Sequence, residues 1–459
     1  MYKLEVNMAI ASDLPYTAEA PLPGLDWQKA KTEQRDSYHS NVFTGKNVRE
    51  LAVITKVSGG LVNLTVRALK TTASDVGSFP RSRSLILKYA PPFVATIGPK
   101  VPFSSERQEV EASALKLFDD DGPLAGLCKL TSIRVPKVLH HNFESSVLII
   151  EDLGPLEMLW GILSPRALEG NDLADNRITE ISPNGKIFRH TSLHRHCRAS
   201  QYASRSNPDI AASIQQLFRS LTKDLVFDVA VKPILERLAT DDSDKLYELV
   251  LNAFNQLSSP DEGCFSLGDC HPGAILLPNW DLLVKDLSEF SSEAPVAVID
   301  WEFSEIAGRG LDGDIAQLLA SLHCRPLYPE ALLESVGNDS NSAFKESGIH
   351  KALVCTEAFV RGLCLSYPEA SSDPLTTDGI LRHLRSTVIL LGRETINQAY
   401  EFAWDLEGYA VSKDELRNKM VMAGAGYLEK AGKDETEALD IWLRASENKG
   451  IILTLFYLP

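Results

Sequence analysis

The chain contains the stretch Ser266-Leu-Gly-Asp-Cys-His-Pro-Gly-Ala-Ile-Leu-Leu277, followed further on by Val296-Ala-Val-Ile-Asp-Trp-Glu-Phe303. Each stretch combines a short apolar run, which predicts a strand, with a carboxylate at the edge of that run. The first carboxylate, Asp269, stands in a loop rich in glycine and proline. The second, Asp300, forms an Asp-x-Glu pair with Glu302. These two stretches therefore mark a candidate site built from acidic side chains at strand ends.

Asp269 is the candidate for proton transfer. A carboxylate between Gly268 and a Cys-His-Pro-Gly loop, with apolar strands on both sides, is difficult to explain as surface decoration. Such a group can accept a proton from a hydroxyl and orient that oxygen for in-line attack. The structural alternative is an aspartate that only forms the turn.

Asp300 and Glu302 are the candidates for metal binding. They follow a strand that reads as buried, and residues two apart on a strand share one face, so both carboxylates are expected to point at one site. Hard oxygen ligands suit Mg²⁺ bound to nucleotide phosphates. A salt-bridged pair at a strand end is the alternative. Taken together, the acidic groups suit transfer of a phosphoryl group from a nucleotide to a hydroxyl.

The segments upstream are rich in strand patterns. A turn containing Gly59 and Gly60 separates two strand candidates, and glycines there let backbone amides approach a polyanion, although a plain hairpin turn explains them equally well. Lys88 ends the apolar run Leu85-Ile-Leu87 and is either an edge residue reaching solvent or a cation aimed into a cleft. In the second case Glu111, on the following helix, is its natural partner.

The pattern of elements along the chain changes near residue 152. The strand candidates of the first third are 51–57, 61–67, 84–89, 135–140 and 146–151, with one helix at 105–118. The later part is mainly helical, with candidates at 210–221, 225–238, 245–257, 315–324, 351–367, 380–403 and 413–431. Pro233 is expected to kink or split the second of these helices, and Asp312 is expected to cap the helix that starts at Ile315.

Composition limits the class of protein. The chain has 459 residues, of which 44% are hydrophobic and 24% charged, as in ordinary globular proteins. The formal net charge is −16 and no basic face is evident in the sequence, so nucleic acid is not expected as a partner. The seven cysteines include no CxxC pair and predict reduced thiols. Without a signal pattern or a spanning apolar run, we expect a cytoplasmic protein and no membrane partner.

Residues 169–205 fit neither pattern. The segment is polar, lacks a clean period and contains His190, His194 and His196. A long solvated insertion, a weak metal site with His-x-His spacing and a gene-model artefact such as retained non-coding sequence all stay open.

The ordered set of motifs resembles the protein-kinase-like small-molecule kinases. The chain is similar to the aminoglycoside phosphotransferase and choline kinase group, in particular its methylthioribose kinase branch, and to fungal small-molecule kinases of the hydroxytryptamine kinase type. The resemblance covers roughly residues 50–430. Its segments are Ser58-Gly-Gly-Leu-Val-Asn-Leu-Thr-Val-Arg67, Leu85-Ile-Leu-Lys88, Leu148-Ile-Ile-Glu-Asp-Leu-Gly154 and Val298-Ile-Asp-Trp-Glu302.

The resemblance implies an α+β, bilobal protein-kinase-like fold with ATP between the lobes. The irregular N-terminal extension would be 1–47, the β-rich N-lobe 48–151 and the mainly helical C-lobe 152–459, which carries the atypical insertion 169–205 and binds a hydroxylated small molecule. The implied site comprises Asp269 as catalytic base, Asp300 and Glu302 as Mg²⁺ ligands, and the nucleotide-binding residues Gly59, Gly60, Asn63, Lys88, Glu111, Glu151 and Leu153. Lys88 would contact the α/β-phosphates, held by Glu111, and the backbone of 151–153 would meet the adenine.

The sequence also departs from the family pattern. Many members have Asn five residues after the catalytic aspartate, where it binds metal, and methylthioribose kinases have Ser; here the residue is Ala274. The usual His-Gly-Asp is Leu267-Gly-Asp269. A catalytically impaired, kinase-like nucleotide-binding module is therefore the alternative function. The sequence has no His-Arg-Asp, Asp-Phe-Gly or Ala-Pro-Glu, which argues against a protein kinase. The acceptor and the oligomeric state are undetermined.

Overall fold

The structure is a computed structural model. It describes residues 51–56, 62–70, 84–95, 99, 101–125, 133–164, 231–237, 243–255, 264–278, 296–308, 347–353, 377–401 and 411–433, with single positions at 216, 220, 223, 228, 314, 317, 318, 321, 322, 332 and 356. Outside these residues lie Gly59, Gly60 and Asp312, together with the extension 1–47 and the segment 169–205.

The described elements mix strands and helices, as the sequence predicted. The strands are β1 (Leu51–Lys56), β2 (Leu64–Lys70), β3 (Ser84–Tyr89), β4 (Ile133–Arg134), β5 (Val138–Asn142), β6 (Val147–Glu151), β7 (Leu156–Met158), β8 (Cys264–Ser266), β9 (Ile275–Pro278), β10 (Val296–Val298) and β11 (Glu305–Gly308). The α-helices are α1 (Arg107–Lys116), α2 (Leu159–Ile162), α3 (Lys232–Arg237), α4 (Ser243–Asn255), α5 (Thr377–Glu401) and α6 (Lys413–Gly432).

The first sheet is antiparallel throughout and has the strand order β1-β2-β3-β6-β5. The central strand β3 pairs with β2 on one side and β6 on the other, so that Lys88 lies opposite Thr65 and Leu148. β6 is buried along most of its length, as its unbroken apolar sequence indicated. Lys88 is therefore placed in the interior of the sheet, and the prediction of a solvent-reaching edge lysine does not apply.

Two smaller sheets position the acidic stretches. One has the order β4-β10-β9-β7. Its outer strands, β4 and β7, come just before β5 and just after β6 in the chain. Its inner strands, β9 and β10, are close in sequence to Asp269 and Asp300. The other pairs β8 with β11, with Ser266 opposite Glu305. Because β8 precedes the Asp269 loop and β11 follows the Asp-x-Glu pair, this pairing brings the two acidic stretches to the same region.

The carboxylate pair does not lie on a strand. β10 ends at Val298, Asp300 adopts the left-handed conformation with φ 62° and ψ 56°, and Glu302 lies in a 3₁₀ turn at Trp301–Phe303. The expectation that strand periodicity orients both carboxylates was therefore wrong. The turn is fixed instead by burial of its aromatic residues, since Trp301 packs on Phe118 and Phe303 stacks on Phe103.

The later helices share one apolar core. Side chains of α3, α4, α5 and α6 form a single buried cluster that includes Leu235, Val250, Ile396 and Leu428. The axes of α5 and α6 can approach closely because Gly392 and Gly424 face each other: a Cβ on either glycine would come within 2.8 Å of the other's carbonyl oxygen. No helix within the described ranges combines the length and the apolar content needed to cross a membrane.

Candidate active site

Lys88 joins two acidic groups from distant parts of the chain. Its Nζ donates to Glu111 Oε1 at 2.7 Å and to Asp300 Oδ1 at 2.8 Å. The lysine is only 4% exposed and Glu111 only 1%. The predicted Lys88–Glu111 pair is therefore present in the structure, and Asp300 is added to it from the other acidic stretch.

Helix α1 delivers Glu111 to this ion-pair cluster. Its neighbour Gln108 donates to the backbone carbonyl of Lys88 at 2.8 Å, which ties the helix to β3. The backbone N–H of Trp301 donates to the Glu111 carboxylate, which ties the helix to the turn that holds Glu302. The helix thus holds the lysine strand and the carboxylate turn together.

Glu302 is buried against a second basic group that the sequence reading did not single out. Its Oε2 accepts from Asn63 Nδ2 at 2.7 Å and lies 3.3 Å from Arg107 Nε. Arg107 Nε also donates to Asn63 Oδ1 at 3.1 Å, so the three side chains close a ring of contacts. Asn63, predicted to contact the nucleotide, has its amide oxygen and nitrogen in this ring.

The Asp269 loop is held by the side chains of Asp314 and Gln317. Asp314 accepts from the backbone N–H groups of Leu267 and Gly268, at 2.6 and 2.9 Å. Gln317 donates to Asp269 Oδ1 at 2.6 Å and accepts from the N–H of Cys270 at 3.1 Å. Both residues were missed in the sequence. Asp314 offered a signal, since it stands two residues after Asp312, to which a capping role was given.

Gly268 is required by the backbone of this loop. Its φ is +85°, a conformation that other L-residues rarely adopt. An added Cβ would lie 1.9 Å from the carbonyl oxygen of Phe303. The tight turn before Asp269 and the turn after Glu302 are therefore in backbone contact.

Ala274 is fully buried and links the two acidic stretches through its backbone. Its N–H donates to the carbonyl of His271, and its carbonyl accepts from the N–H of Ile299, one residue before Asp300. A methyl side chain cannot ligate a metal, so any metal in this region depends on other residues.

The segment 151–154 is clamped by two arginines. The Arg67 guanidinium holds both Asp152 carboxylate oxygens, at 2.8 and 3.0 Å, and donates to the carbonyl of Gly154. Arg134 donates to the carbonyl of Leu153 at 3.4 Å. The backbone N–H of Glu151 donates to the backbone carbonyl of Lys137, whereas the N–H of Leu153 makes no hydrogen bond within the described structure.

Burial and charge shift the pKa values of the cluster. Burial opposes the charge of Lys88, but Asp300 and Glu111 outweigh it and raise the lysine pKa. Burial also opposes ionisation of Asp300, yet the Lys88 charge keeps the pKa of that carboxyl below its usual value. For Glu302, burial raises the pKa to about 7, against the lowering by Lys88 and with a further rise from Glu111.

The donor set fits a hard divalent cation that also binds phosphates. The polar contacts described for the two carboxylates fall on Oδ1 of Asp300 and Oε2 of Glu302, which leaves one oxygen of each for a cation. Asp300 is 33% exposed at its side chain. Within the described residues there is no group of three or more metal-binding side chains, and Mg²⁺ commonly takes only one or two carboxylates plus substrate phosphates.

The structure brings together Asn63, Lys88, Glu111, Asp300 and Glu302, all of which were predicted as site residues. Asp269 lies on the adjoining loop, Glu151 is the last residue of β6, and Leu153 lies in the clamped segment that follows this strand. Gly59 and Gly60 lie outside the described residues. The roles assigned to these residues stay predictions.

Comparison with known proteins gives sequence relatives among small-molecule kinases. The methylthioribose kinase of Bacillus cereus is 27% identical over 269 residues, which is 55% of this chain and 58% of that protein. The methylthioribose kinase of Bacillus mycoides is 25% identical over 274 residues, with the same coverage. The chain thus spans less than two thirds of the length of these curated relatives. No protein-family model matches the sequence.

Two solved structures superpose only loosely. A glucosamine kinase in complex with glucosamine, ADP and inorganic phosphate is 14% identical, covers 85% of this chain and 83% of its own, and gives a TM-score of 0.35. An ethanolamine kinase of Plasmodium vivax is 12% identical, covers 93% and 99%, and gives a TM-score of 0.30. The sequence relatives confirm the resemblance to small-molecule kinases of the methylthioribose kinase branch.

Proposed function

We propose that this protein is an ATP- and Mg²⁺-dependent phosphotransferase that phosphorylates a hydroxyl group of a small-molecule metabolite. The observation that carries the proposal is the buried contact of Lys88 with both Glu111 and Asp300. We also infer the bilobal kinase-like arrangement, with the β-rich lobe at 48–151, and a cytoplasmic location. The mixed sheet-and-helix elements and the names of the sequence relatives support the kinase interpretation.

Lys88 would bind nucleotide phosphates. A lysine whose charge is maintained by two carboxylates stays protonated at all physiological pH values, and it presents a fixed positive charge where phosphate oxygens gain charge in the reaction. Glu111 would hold the lysine in position, since its own contact with Lys88 is buried and short. This assignment follows the general logic of phosphoryl transfer, in which positioning and charge neutralisation provide most of the rate.

Asp300 and Glu302 would hold Mg²⁺ through the carboxylate oxygens that are not already engaged. When bound, the ion supplies charge neutralisation on the nucleotide phosphates. Because Ala274 provides no ligand, these two carboxylates would be the metal ligands that the described part of the chain contributes. The Lys88 contact keeps Asp300 ionised, and therefore able to bind a cation, over the working pH range.

Asp269 would act as general base. The Gln317 side chain occupies Oδ1 of Asp269, so Oδ2 is the oxygen available to accept the acceptor hydroxyl's proton. Backbone hydrogen bonds from Leu267 and Gly268 to Asp314 hold the loop, which keeps the carboxylate in a defined position for in-line attack. Removing the base is expected to cost a factor of roughly 10²–10⁴ in rate.

The segment 151–154 would receive the adenine. Since the Glu151 N–H donates to the Lys137 carbonyl and the Gly154 N–H to the Asp152 side chain, the Leu153 N–H is an amide of this segment that can meet a ring nitrogen. The Arg67–Asp152 pair holds that segment against β2, so the base would meet a fixed backbone.

A non-catalytic nucleotide-binding module is the second candidate, and Ala274 favours it. That position lacks a polar side chain and is fully buried, so a water or ion cannot easily replace the missing ligand. Both candidates bind a nucleotide, but only the phosphotransferase passes a phosphoryl group to an acceptor.

The test combines binding with turnover. Calorimetry measures ATP affinity with Mg²⁺ and with EDTA, and ADP release is followed over a panel containing methylthioribose, other sugars, an amino alcohol and a hydroxyindole amine. Acceptor-dependent ADP release that falls by roughly 10²–10⁴ in Asp269→Asn supports the phosphotransferase. Mg²⁺-dependent ATP binding without transfer to any panel member favours the non-catalytic module. Absence of ATP binding contradicts both.

A further inference from the structure

Arg107 is a buried arginine whose guanidinium nitrogens are all engaged. It is the first residue of α1 and is 0% exposed. NH1 donates to the carbonyls of Phe103 and Ser104 at 3.2 and 2.6 Å, and NH2 donates to the carbonyl of Val62 at 2.8 Å. Its guanidinium carbon also lies 4.8 Å from the centre of the Phe103 ring.

These contacts leave only one way for Nε to point. The planar guanidinium has its donors in a fixed fork, so three carbonyls on NH1 and NH2 determine the direction of the remaining N–H. That N–H meets Asn63 Oδ1 at 3.1 Å and lies 3.3 Å from Glu302 Oε2. Arg107 is therefore held by backbone on one side and touches the carboxylate of Glu302 on the other.

Asn63 completes the hold on the same oxygen. Its Nδ2 donates to Glu302 Oε2 at 2.7 Å, while its Oδ1 accepts from Arg107. Arg107 and Asn63 together restrain a buried glutamate through one oxygen, whereas the other, Oε1, makes no hydrogen bond or ion pair within the described residues. A carboxylate held in this way cannot rotate freely.

Arg107 and Glu111 lie four residues apart on α1, so they share one face of the helix. Glu111 reaches Asp300 through Lys88, whereas Arg107 reaches Glu302 directly. One face of α1 is thus linked to both members of the Asp-x-Glu pair, to Asp300 through Lys88 and to Glu302 by direct contact. This arrangement gives α1 a function beyond packing on the 3₁₀ turn.

We propose that Arg107, together with Asn63, is a positioning residue that fixes the Glu302 carboxylate through Oε2 so that Oε1 is presented to the metal ion of a bound nucleotide. The proposal rests on the proposed function, because it assumes that Glu302 is a metal ligand. In this proposal Asn63 holds the Glu302 carboxylate, in addition to any contact with phosphate. Arg107 has a role that no sequence motif indicated.

A purely structural arginine would behave differently from a positioning one. Both roles predict lower stability on substitution, since Arg107 is fully buried. Only the positioning role predicts a selective loss of the gain in nucleotide affinity that Mg²⁺ provides. The ratio of ATP dissociation constants in EDTA and in Mg²⁺, here called the magnesium gain, is therefore the quantity to measure.

The experiment uses the full chain and a fluorescent ATP analogue, titrated in Mg²⁺ and in EDTA. Arg107→Lys keeps the charge but cannot form the fork, and it is expected to lower the magnesium gain about tenfold while affinity in EDTA stays within twofold of wild type. In the double variant Arg107→Lys, Glu302→Gln the magnesium gain should be no lower than in Glu302→Gln alone. The reason is that both substitutions disrupt the same Arg107–Glu302 interaction.

A matched control and a milder variant keep the outcome decisive. Arg385 in α5 also donates to a backbone carbonyl, that of Ala431, so Arg385→Gln should lower stability without changing the magnesium gain. If Arg107→Lys does not fold, Asn63→Ser removes the other donor on Oε2 and should lower the gain about threefold. A wild-type gain in Arg107→Lys, or in Asn63→Ser where that variant replaces it, overturns the positioning role. Wild-type protein without any magnesium gain contradicts the proposed function instead.

Discussion

Lys88 and Asp300 are joined by a 2.8 Å ion pair although 212 residues separate them in the chain. The lysine belongs to the middle strand of the first sheet, and the aspartate follows a strand of the second sheet. With Glu111, they form a cluster in which one buried cation contacts a buried carboxylate and a partly exposed one. The cluster ties together parts of the molecule that the sequence places far apart, and it is the centre of the proposed nucleotide site.

Removing the lysine should destabilise the fold. Lys88→Met leaves the carboxylates of Glu111 and Asp300 without their cation, and breaking a buried pair in this way costs about 3–5 kcal/mol. Urea unfolding followed by far-UV circular dichroism measures the change. Lys88→Met with Glu111→Leu should regain at least about 1 kcal/mol over the single variant, because one buried charge is then absent.

The same variants separate stability from binding. The double variant is expected to remain without Mg-ATP binding, even where its stability recovers. A Lys88→Met protein as stable as wild type would contradict the buried character of the cluster. Recovery of nucleotide binding in the double variant would contradict the assignment of Lys88 to the phosphates.

Asp269 and Gln317 should have unequal effects on turnover. Asp269→Asn removes the proposed base and is expected to lower kcat by roughly 10²–10⁴. Gln317→Leu removes the 2.6 Å hydrogen bond to Oδ1 and the acceptor of the Cys270 N–H, and it should lower kcat about tenfold through misorientation of the carboxylate. Both are measured by ADP release with an active acceptor. Larger damage from Gln317→Leu than from Asp269→Asn would argue against Asp269 as the base.

Gly268→Ala should be strongly destabilising. Gly268 has a φ of +85°, and an added Cβ would lie 1.9 Å from the carbonyl oxygen of Phe303, so the loop must shift to accommodate alanine. A loss of about 2–4 kcal/mol in the free energy of unfolding is expected from strain and clash together. Gly161→Ala is the control, since an added Cβ there meets nothing within 4 Å, and it should change stability by less than about 1 kcal/mol. Equal effects at the two glycines would refute the loop geometry.

His141 should make stability fall as the pH falls. Burial, with help from Lys116 and His140, lowers the pKa of His141 from its ordinary 6.5 to about 4. The unfolded chain therefore takes up a proton from about pH 6.5 downward, while the folded protein does not, so folding weakens over that window. The expected loss between pH 7 and pH 5 is about 1–2 kcal/mol.

The check on this prediction is a substitution that cannot titrate. In His141→Gln the free energy of unfolding should fall less steeply between pH 7 and pH 5 than in wild type, as measured by urea titrations at several pH values. Identical slopes for the two proteins would show that His141 is not the group responsible.

The regular elements were largely predictable from the sequence. The strands of the first sheet and helix α1 follow from β-branched apolar runs and from one apolar helical face, and α5 and α6 follow from long periodic segments. These patterns are local, so a single sequence carries them. Pro233 is the second residue of α3, and Val231, just before that helix, has a π-helical conformation. The kink predicted at Pro233 stays a prediction.

The turn that holds Glu302 was not predictable in the same way. The apolar run at 296–299 suggested a strand that ends with the carboxylate pair, but the backbone at Asp300 is left-handed and the turn after it is 3₁₀. That conformation is selected by contacts that are distant in sequence: the Lys88 ion pair, the Phe103–Phe303 stacking and the Asn63 hydrogen bond. Local propensity contains none of this information.

The supporting residues of the site were missed for a related reason. Gln317 meets Asp269 across 48 positions of sequence, and Arg107 meets Asn63 across 44. A buried arginine at the start of a helix and a glutamine within the predicted helix 315–324 have no neighbouring motif that marks them as functional. The spacing of Arg107 and Glu111, four residues apart on one helix, was the available clue.

The most direct test of the central claim is the affinity of the full chain for ATP, measured by calorimetry in Mg²⁺ and in EDTA. The ion-pair cluster as a metal–nucleotide site predicts that wild type binds at least about tenfold more tightly with Mg²⁺, and that Asp300→Asn removes this difference. Lys137→Gln, which alters an exposed pair with Asp120, should keep it. Equal affinity of wild type with and without Mg²⁺, or an undiminished difference in Asp300→Asn, would contradict the claim.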